Sequence, residues 1–179
     1  MIESVQTHVR DTRGTALVEL ALVLPLLLVL LFGMLDFGKA FNEWIDETHL
    51  ANEGARLAAV GYAVAGCTNP NPNVCLTQYI HGSANLPELR SGRAGDPYAG
   101  AQSPAQVCIS YPTNPATSSF GQVGDPVQVT VQVTYHWLNY LISWINIGAT
   151  PIRGKATMRL ERRAAPEATS APGTKTCYP

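Results

Sequence analysis

The chain has 179 residues, with 12 Lys+Arg against 13 Asp+Glu and a formal net charge of -1. It lacks the basic excess by which proteins neutralise phosphates, so nucleic acid is excluded as an expected partner. Hydrophobic residues make up 46% and charged residues 14%, against about 25% charged in an ordinary soluble domain, which excludes disorder throughout.

The missing charge is concentrated at one place. Between Thr15 and Leu35 the only ionisable side chain is Glu19, and a helix over that run measures about 31 Å, the thickness of a bilayer's hydrocarbon. Arg10 and Arg13 precede it, whereas Asp36, Glu43, Asp46 and Glu47 follow with only Lys39 to offset them. The Lys/Arg bias therefore predicts a single-pass cell-membrane protein with a cytoplasmic N-terminus and an exported C-terminal part. The run is too long for the apolar region of a cleavable signal peptide. It continues without a turn signal into residues 36–62, where Phe37, Phe41, Trp44, Ile45, Thr48, Ala51, Ala55 and Ala58 keep helical spacing. The pattern predicts one helix, 15–35 in lipid and 36–62 outside, behind a cytoplasmic leader at 1–14. Val64-Ala65-Gly66-Cys67 has the form of a lipoprotein cleavage site, but Glu53 and Arg56 separate it from the apolar region it would have to follow directly.

Glu19 is the most informative side chain of this segment. A charge near the middle of a membrane helix costs at least about 2.5 kcal/mol and persists with a partner or a task. Two readings stand: Glu19 snorkels to the near interface, or it is paired. No cation lies elsewhere in the span, but a new α-amino group would serve if the chain were cut just before Thr15.

Arg13-Gly14 followed by Thr15-Ala16-Leu17-Val18-Glu19 and the apolar run to Leu31 resembles the class III prepilin processing site of type IVb (Flp/Tad) pili. Together with Phe32-Gly33-Met34-Leu35-Asp36-Phe37-Gly38-Lys39-Ala40-Phe41 and Ala51-Asn52-Glu53-Gly54-Ala55-Arg56, it resembles the TadE-like pseudopilins of the tight-adherence pilus system. Many members have Tyr or Phe after the Glu, where this chain has Leu20. The resemblance implies cleavage by a prepilin peptidase after Gly14, a role for Glu19 in processing and assembly, and a pilin-like fold. It also implies a place as a minor pseudopilin that assembles, primes or caps the pilus for surface adhesion. The implied partners are the prepilin peptidase, other Tad pseudopilins, the inner-membrane assembly platform and membrane lipid. Pro25, in mid-span, removes a backbone hydrogen bond and is either a plain kink or a hinge for subunit packing. Gly54 and Ala55 offer small side chains either to a neighbouring subunit, with Glu19, or to the domain's own sheet.

Residues 63–163 read as an exported α+β domain. Asn69-Pro70-Asn71-Pro72-Asn73 is a turn-rich loop, and regular structure resumes with a short strand around Val107, Ile109 and Tyr111. Val127–Tyr135 alternates Val127, Val129, Val131, Val133 and Tyr135 with polar residues, predicting a strand with one buried and one wet face. Ile152–Arg162 repeats the alternation. The expected fold is α+β: a long N-terminal transmembrane helix that continues outside the membrane and packs on a small antiparallel β-sheet. Trp137–Ile147 is apolar and too short to span, and reads as a core segment or an amphipathic patch. Residues 164–179, rich in Ala, Pro, Thr and Ser, read as a disordered tail.

The four cysteines all lie beyond the span, so an even count in an oxidising compartment points to two disulfides. Proximity favours Cys67–Cys75 across the Asn/Pro loop, leaving Cys108–Cys177. No Cys-x-x-Cys or paired-His spacing suggests a metal. His8, His49, His81 and His136 are scattered, and no P-loop or nucleophile elbow is present. The reading is a non-enzymatic protein without cofactor. Its rival is an uncleaved, membrane-anchored extracytoplasmic binding module for a wall component or secreted partner.

Overall fold

The computed structural model describes residues 12–86, 89–90, 105–137, 148–165, 173 and 175–178. The leader up to residue 11, the apolar stretch 138–147 and much of the tail therefore lie outside the described residues. The chain divides into two units, one ending at Phe37 and one beginning at Gly38. A single helix, α1 (Thr12–Val60), runs through the boundary, with Pro25 inside it.

In the first unit the residues of α1 from Ala16 to Leu31 are exposed, in a window of helix long and apolar enough to cross a membrane, whereas Asp36 near the unit's end is buried. Leucines and valines on every side of a helix make a surface that only lipid or other apolar helices satisfy.

The second unit holds the rest of α1, then α2 (Pro72–Ser83), β1 (Gln106–Ser110), β2 (Pro126–His136), β3 (Ala149–Arg159) and β4 (Thr176–Tyr178). The strands form one antiparallel sheet in the order β3-β2-β1-β4. The alternating valines set its register: Val131 pairs with Val107 on one side and Gly154 on the other, and Val129 with Ile109 and Ala156. Their buried face meets Leu50, Ala51, Ala55 and Ala59 of α1 and Leu76 and Ile80 of α2. Each such Val, Ile or Leu contributes about 1.5–3 kcal/mol on burial.

Small residues bring these elements together. A Cβ on Gly54 would stand 2.6 Å from Ile80 Cδ1 and 3.2 Å from Val129 Cγ1, so the bare backbone is what lets α1 fit between α2 and β2. α1 ends at Gly61, whose φ of 62° suits glycine. Gly61 N–H donates to Ala58 O at 3.2 Å and Tyr62 N–H to Leu57 O at 3.0 Å, the paired bonds of a Schellman cap. The chain leaving β3 then donates Glu161 N–H to Ala59 O at 2.8 Å.

Three elements differ from the sequence reading. The Asn/Pro loop leads directly into α2: Asn71 is its N-cap, accepting from Asn73 N–H at 2.9 Å, and Pro72 opens the helix, where a missing N–H costs nothing. The tail is not disordered throughout, because Thr176–Tyr178 forms β4 on the edge of β1, with Cys177 opposite Cys108. Three residues are too few for alternation to show in sequence. The second sheet face is not simply wet, since Cys108, Ser110 and Thr130 on it are buried.

Candidate functional site

Gly14 and Thr15 lie in the first turns of α1, and Gly14 has nothing within 4 Å of a would-be Cβ. This turn is weak by composition. It contains no acidic residue to meet the positive end of the helix dipole, Arg13 adds a charge of the wrong sign, and Gly14 costs up to about 1 kcal/mol against Ala. Glu19 is exposed one helical turn after Thr15, on the same face by its i, i+4 spacing. Pro25 sits within the unbroken helix. The structure keeps these residues in one element, with Gly14, Glu19 and Pro25 exposed. Gly54 and Ala55 are separated from them, packed inside the second unit's own core, with Ala55 fully buried. Their small size serves the contact of α1 with α2 and the sheet rather than a face offered to another subunit.

The disulfides are Cys67–Cys75 and Cys108–Cys177. The first ties the loop after α1 to the second turn of α2, and the second staples β4 to β1.

Sequence reasoning treated the acidic residues after the span only as topology signals, but α1 buries three of them in the second unit. Asp46 accepts hydrogen bonds from Asn85 N–H at 3.1 Å, Asn85 Nδ2 at 3.0 Å and Leu86 N–H at 3.1 Å, fixing the chain that leaves α2. Glu43 and Glu47 are buried one turn apart, Glu47 completely. Among the described residues neither Glu47 oxygen has a hydrogen-bond partner. Burial, then the neighbouring Glu43 charge, push its carboxyl up to about 8, although the nearby amides of Val133 and Gly154 act the other way. Glu47 is therefore held as the neutral acid at pH 7. The signal in sequence was the spacing of Glu43, Glu47 and Leu50, which puts the acids on the buried stripe.

At the other end of the second unit, a cavity of about 460 Å³ opens between Leu57, Ala58, Leu76 and Tyr111, with Arg162 and Arg163 in its wall. The Tyr111 hydroxyl donates to Asn73 Oδ1 at 3.2 Å, and burial raises it to about 12, so it stays protonated. Among the described residues no group of three His, Cys, Asp or Glu could hold a metal ion. His49 lies exposed on α1 and His136 ends β2.

Residues 14–56 match the model of a family described as TadE-like protein. The match begins at the glycine of the first turn and covers α1 almost to its end. The segment associates the chain with the Tad pilus machinery in general. No curated protein and no solved structure matches the chain.

Proposed function

From a TadE-like segment that starts at Gly14 and coincides with a bare apolar helix, we propose that this chain is a minor pseudopilin of the Tad (Flp, type IVb) pilus system. Its work is structural rather than catalytic: it helps to assemble, prime or cap the fibre after a prepilin peptidase cuts between Gly14 and Thr15. The match starting at that glycine is the observation that carries the reading.

The cut does two physical things. It frees the α-amino group of Thr15 one turn from Glu19, so that the carboxylate gains a counter-charge before the helix is surrounded by apolar side chains. An ion pair of this kind is stabilising only with good geometry, but a lone buried charge is far worse. The cut also removes Arg10 and Arg13, the charges that hold the N-terminus at the cytoplasmic face, and so eases withdrawal of the helix toward an assembling fibre. The working partners are the prepilin peptidase, other Tad pseudopilins, the inner-membrane assembly platform and lipid. The second unit lies on the exported side.

A second reading, an uncleaved anchor whose exported domain binds a wall component or secreted partner, is favoured by the cavity beside Tyr111. Intact mass or N-terminal sequencing of the protein produced with its own prepilin peptidase separates the two. A mature chain beginning at Thr15 supports the pseudopilin, whereas a chain that keeps Met1 supports the anchor. Glu19→Gln should impair pilus-dependent adhesion while leaving the sheet domain folded; normal adhesion in that variant would count against the mechanism.

A further inference from the structure

Four parts of the second unit meet around the cavity beside Tyr111. The last turns of α1 give Leu57 and Ala58, the first turns of α2 give Asn73 and Leu76, the residue after β1 is Tyr111 itself, and the chain leaving β3 gives Arg162 and Arg163. The volume of about 460 Å³ lies within the range of small-molecule sites, about 300–1,000 Å³. The walls are firm. Leu57, Ala58, Ala164 and Ala165 pack against the hydrophobic core, and Asn73, Leu76 and Tyr111 are buried.

The two arginines are placed by their main chain. Arg162 N–H donates to Ala59 O at 3.3 Å and Ala164 N–H to Gly121 O at 3.0 Å, so the segment that carries them is tied at both ends. The Arg162 stem passes over Gly61, where a Cβ would stand 3.1 Å from Arg162 Cδ. Both arginines are exposed, so they keep their hydration and cost little to hold charged. Among the described lining residues none is acidic, and Glu161, next to them in sequence, is exposed and does not line the cavity. α2 turns the positive end of its dipole toward the cavity and α1 its negative end, and the two offset one another. The arginines therefore set the sign of the site.

Tyr111 adds a second requirement. Its hydroxyl gives its hydrogen to Asn73 Oδ1 at 3.2 Å, which leaves the phenolic oxygen to act as an acceptor. A ligand that meets every wall carries an anion for the arginines, an N–H or O–H for Tyr111, and an apolar body against Leu57, Ala58 and Leu76. We propose that the cavity binds the free carboxyl terminus of an apolar peptide, its carboxylate paired with Arg162 and Arg163 and its last amide N–H donated to Tyr111. The planar fork of arginine matches the two oxygens of a carboxylate. A peptide end supplies the carboxylate, the N–H and the side chain within one residue. An inorganic anion has no apolar body to cover the leucines, and a fatty acid has no donor for Tyr111. All these residues belong to the unit that begins at Gly38, so the proposal holds for a cleaved pseudopilin and for an uncleaved anchor alike.

The test is isothermal titration of the full chain, in non-ionic detergent micelles, with N-acetyl alanyl-leucine bearing a free carboxylate and with the same peptide as its C-terminal amide. The acid should bind saturably and the amide at least about tenfold more weakly, as the loss of a charge-assisted hydrogen bond demands. Arg162→Gln together with Arg163→Gln should weaken the acid by a similar factor and abolish its advantage over the amide. Methylating the last amide nitrogen of the peptide should weaken binding with no change to the protein. Binding of neither peptide, equal binding of acid and amide, or undiminished binding by the double variant would overturn the proposal. So would acetate or inorganic phosphate binding as tightly as the peptide, which would leave a counter-ion site only, or full retention of the N-methyl peptide, which would remove the Tyr111 contact. The comparisons among peptides use the wild type, so they decide the matter even where thermal melts show the double variant to be less stable. None of these results depends on which residue N-terminal sequencing finds first.

Discussion

Gly154 in the middle of β3 lies directly against the main chain of Glu47 and Thr48 in α1, so close that any Cβ at 154 would overlap backbone atoms. Neither neighbour can yield: one side is a helix with its hydrogen bonds made, the other a strand paired to Val131. Gly154→Ala is expected to cost about 1–3 kcal/mol or more, as overpacking in a tight core does. Gly54→Ala should cost less, because the nearest atom there is Ile80 Cδ1, the end of a side chain that can turn aside. Chemical denaturation of the two variants in detergent micelles checks the order.

The same contact seals Glu47, and its protonation makes the second unit's stability depend on pH. The carboxyl titrates near its ordinary 4.5 in the unfolded chain and near 8 when folded. Between those values the folded state holds the extra proton. The favourable contribution is complete at or below pH 4.5 and is lost as pH rises toward 8, by a few kcal/mol in all. Glu47→Gln, which cannot ionise, should flatten the slope of stability between pH 5 and 8 and be the more stable protein at pH 8. A wild-type stability that rises over this interval would contradict the assignment.

Asp125 has the opposite dependence. Burial works against its charge, but hydrogen bonds from Ser119 Oγ at 2.7 Å, Gln122 N–H at 3.0 Å and Asn114 Nδ2 at 3.1 Å outweigh that and hold the carboxyl below its ordinary 3.8. Its stabilising effect is present above pH 3.8 and disappears as pH falls through the lowered value. Asp125→Ala should lower Tm by several degrees at pH 7, because three donors lose their acceptor. The difference from wild type should shrink as pH falls below 3.8 through the lowered folded-state value, read by thermal melts across pH.

The two disulfides should differ in weight. In the chain-entropy account, closing the 69-residue separation of Cys108–Cys177 is worth about 4 kcal/mol, against about 2.5 kcal/mol for the 8-residue separation of Cys67–Cys75. Replacing Cys108 and Cys177 by Ser should therefore cost more than replacing Cys67 and Cys75. It should also release β4, seen as early proteolytic loss of the C-terminal residues. Equal stability of the two double variants would show that β4 is held by its strand pairing alone.

How much of this could be read from sequence depended on the length of the pattern. The alternation of Val127, Val129, Val131 and Val133 is long enough to name a strand and its buried face, and the run from Ala16 to Leu31 is long enough to name a helix. β4 is three residues and carries no period. α2 was hidden because Asn71 and Pro72 signal a turn and a helix start equally well, and only the spacing of Leu76 and Ile80 after them decides. The buried acids were legible in position but not in state: nothing in the order of residues says that Gly154 would close over Glu47. Gly54 and Ala55 illustrate the remaining ambiguity, since small residues on a helix suit an internal sheet and an external helix alike, and only the fold shows Ile80 and Val129 against them.

β3 forms one border of the sheet, and an open border is a template for another chain's strand. This one carries Pro151, which has no N–H to offer, and exposed Arg153, Lys155 and Arg159, the charges and the missing donor by which natural sheets discourage edge-to-edge aggregation. Two such sheets brought together are thereby discouraged from zipping border to border into a shared ribbon.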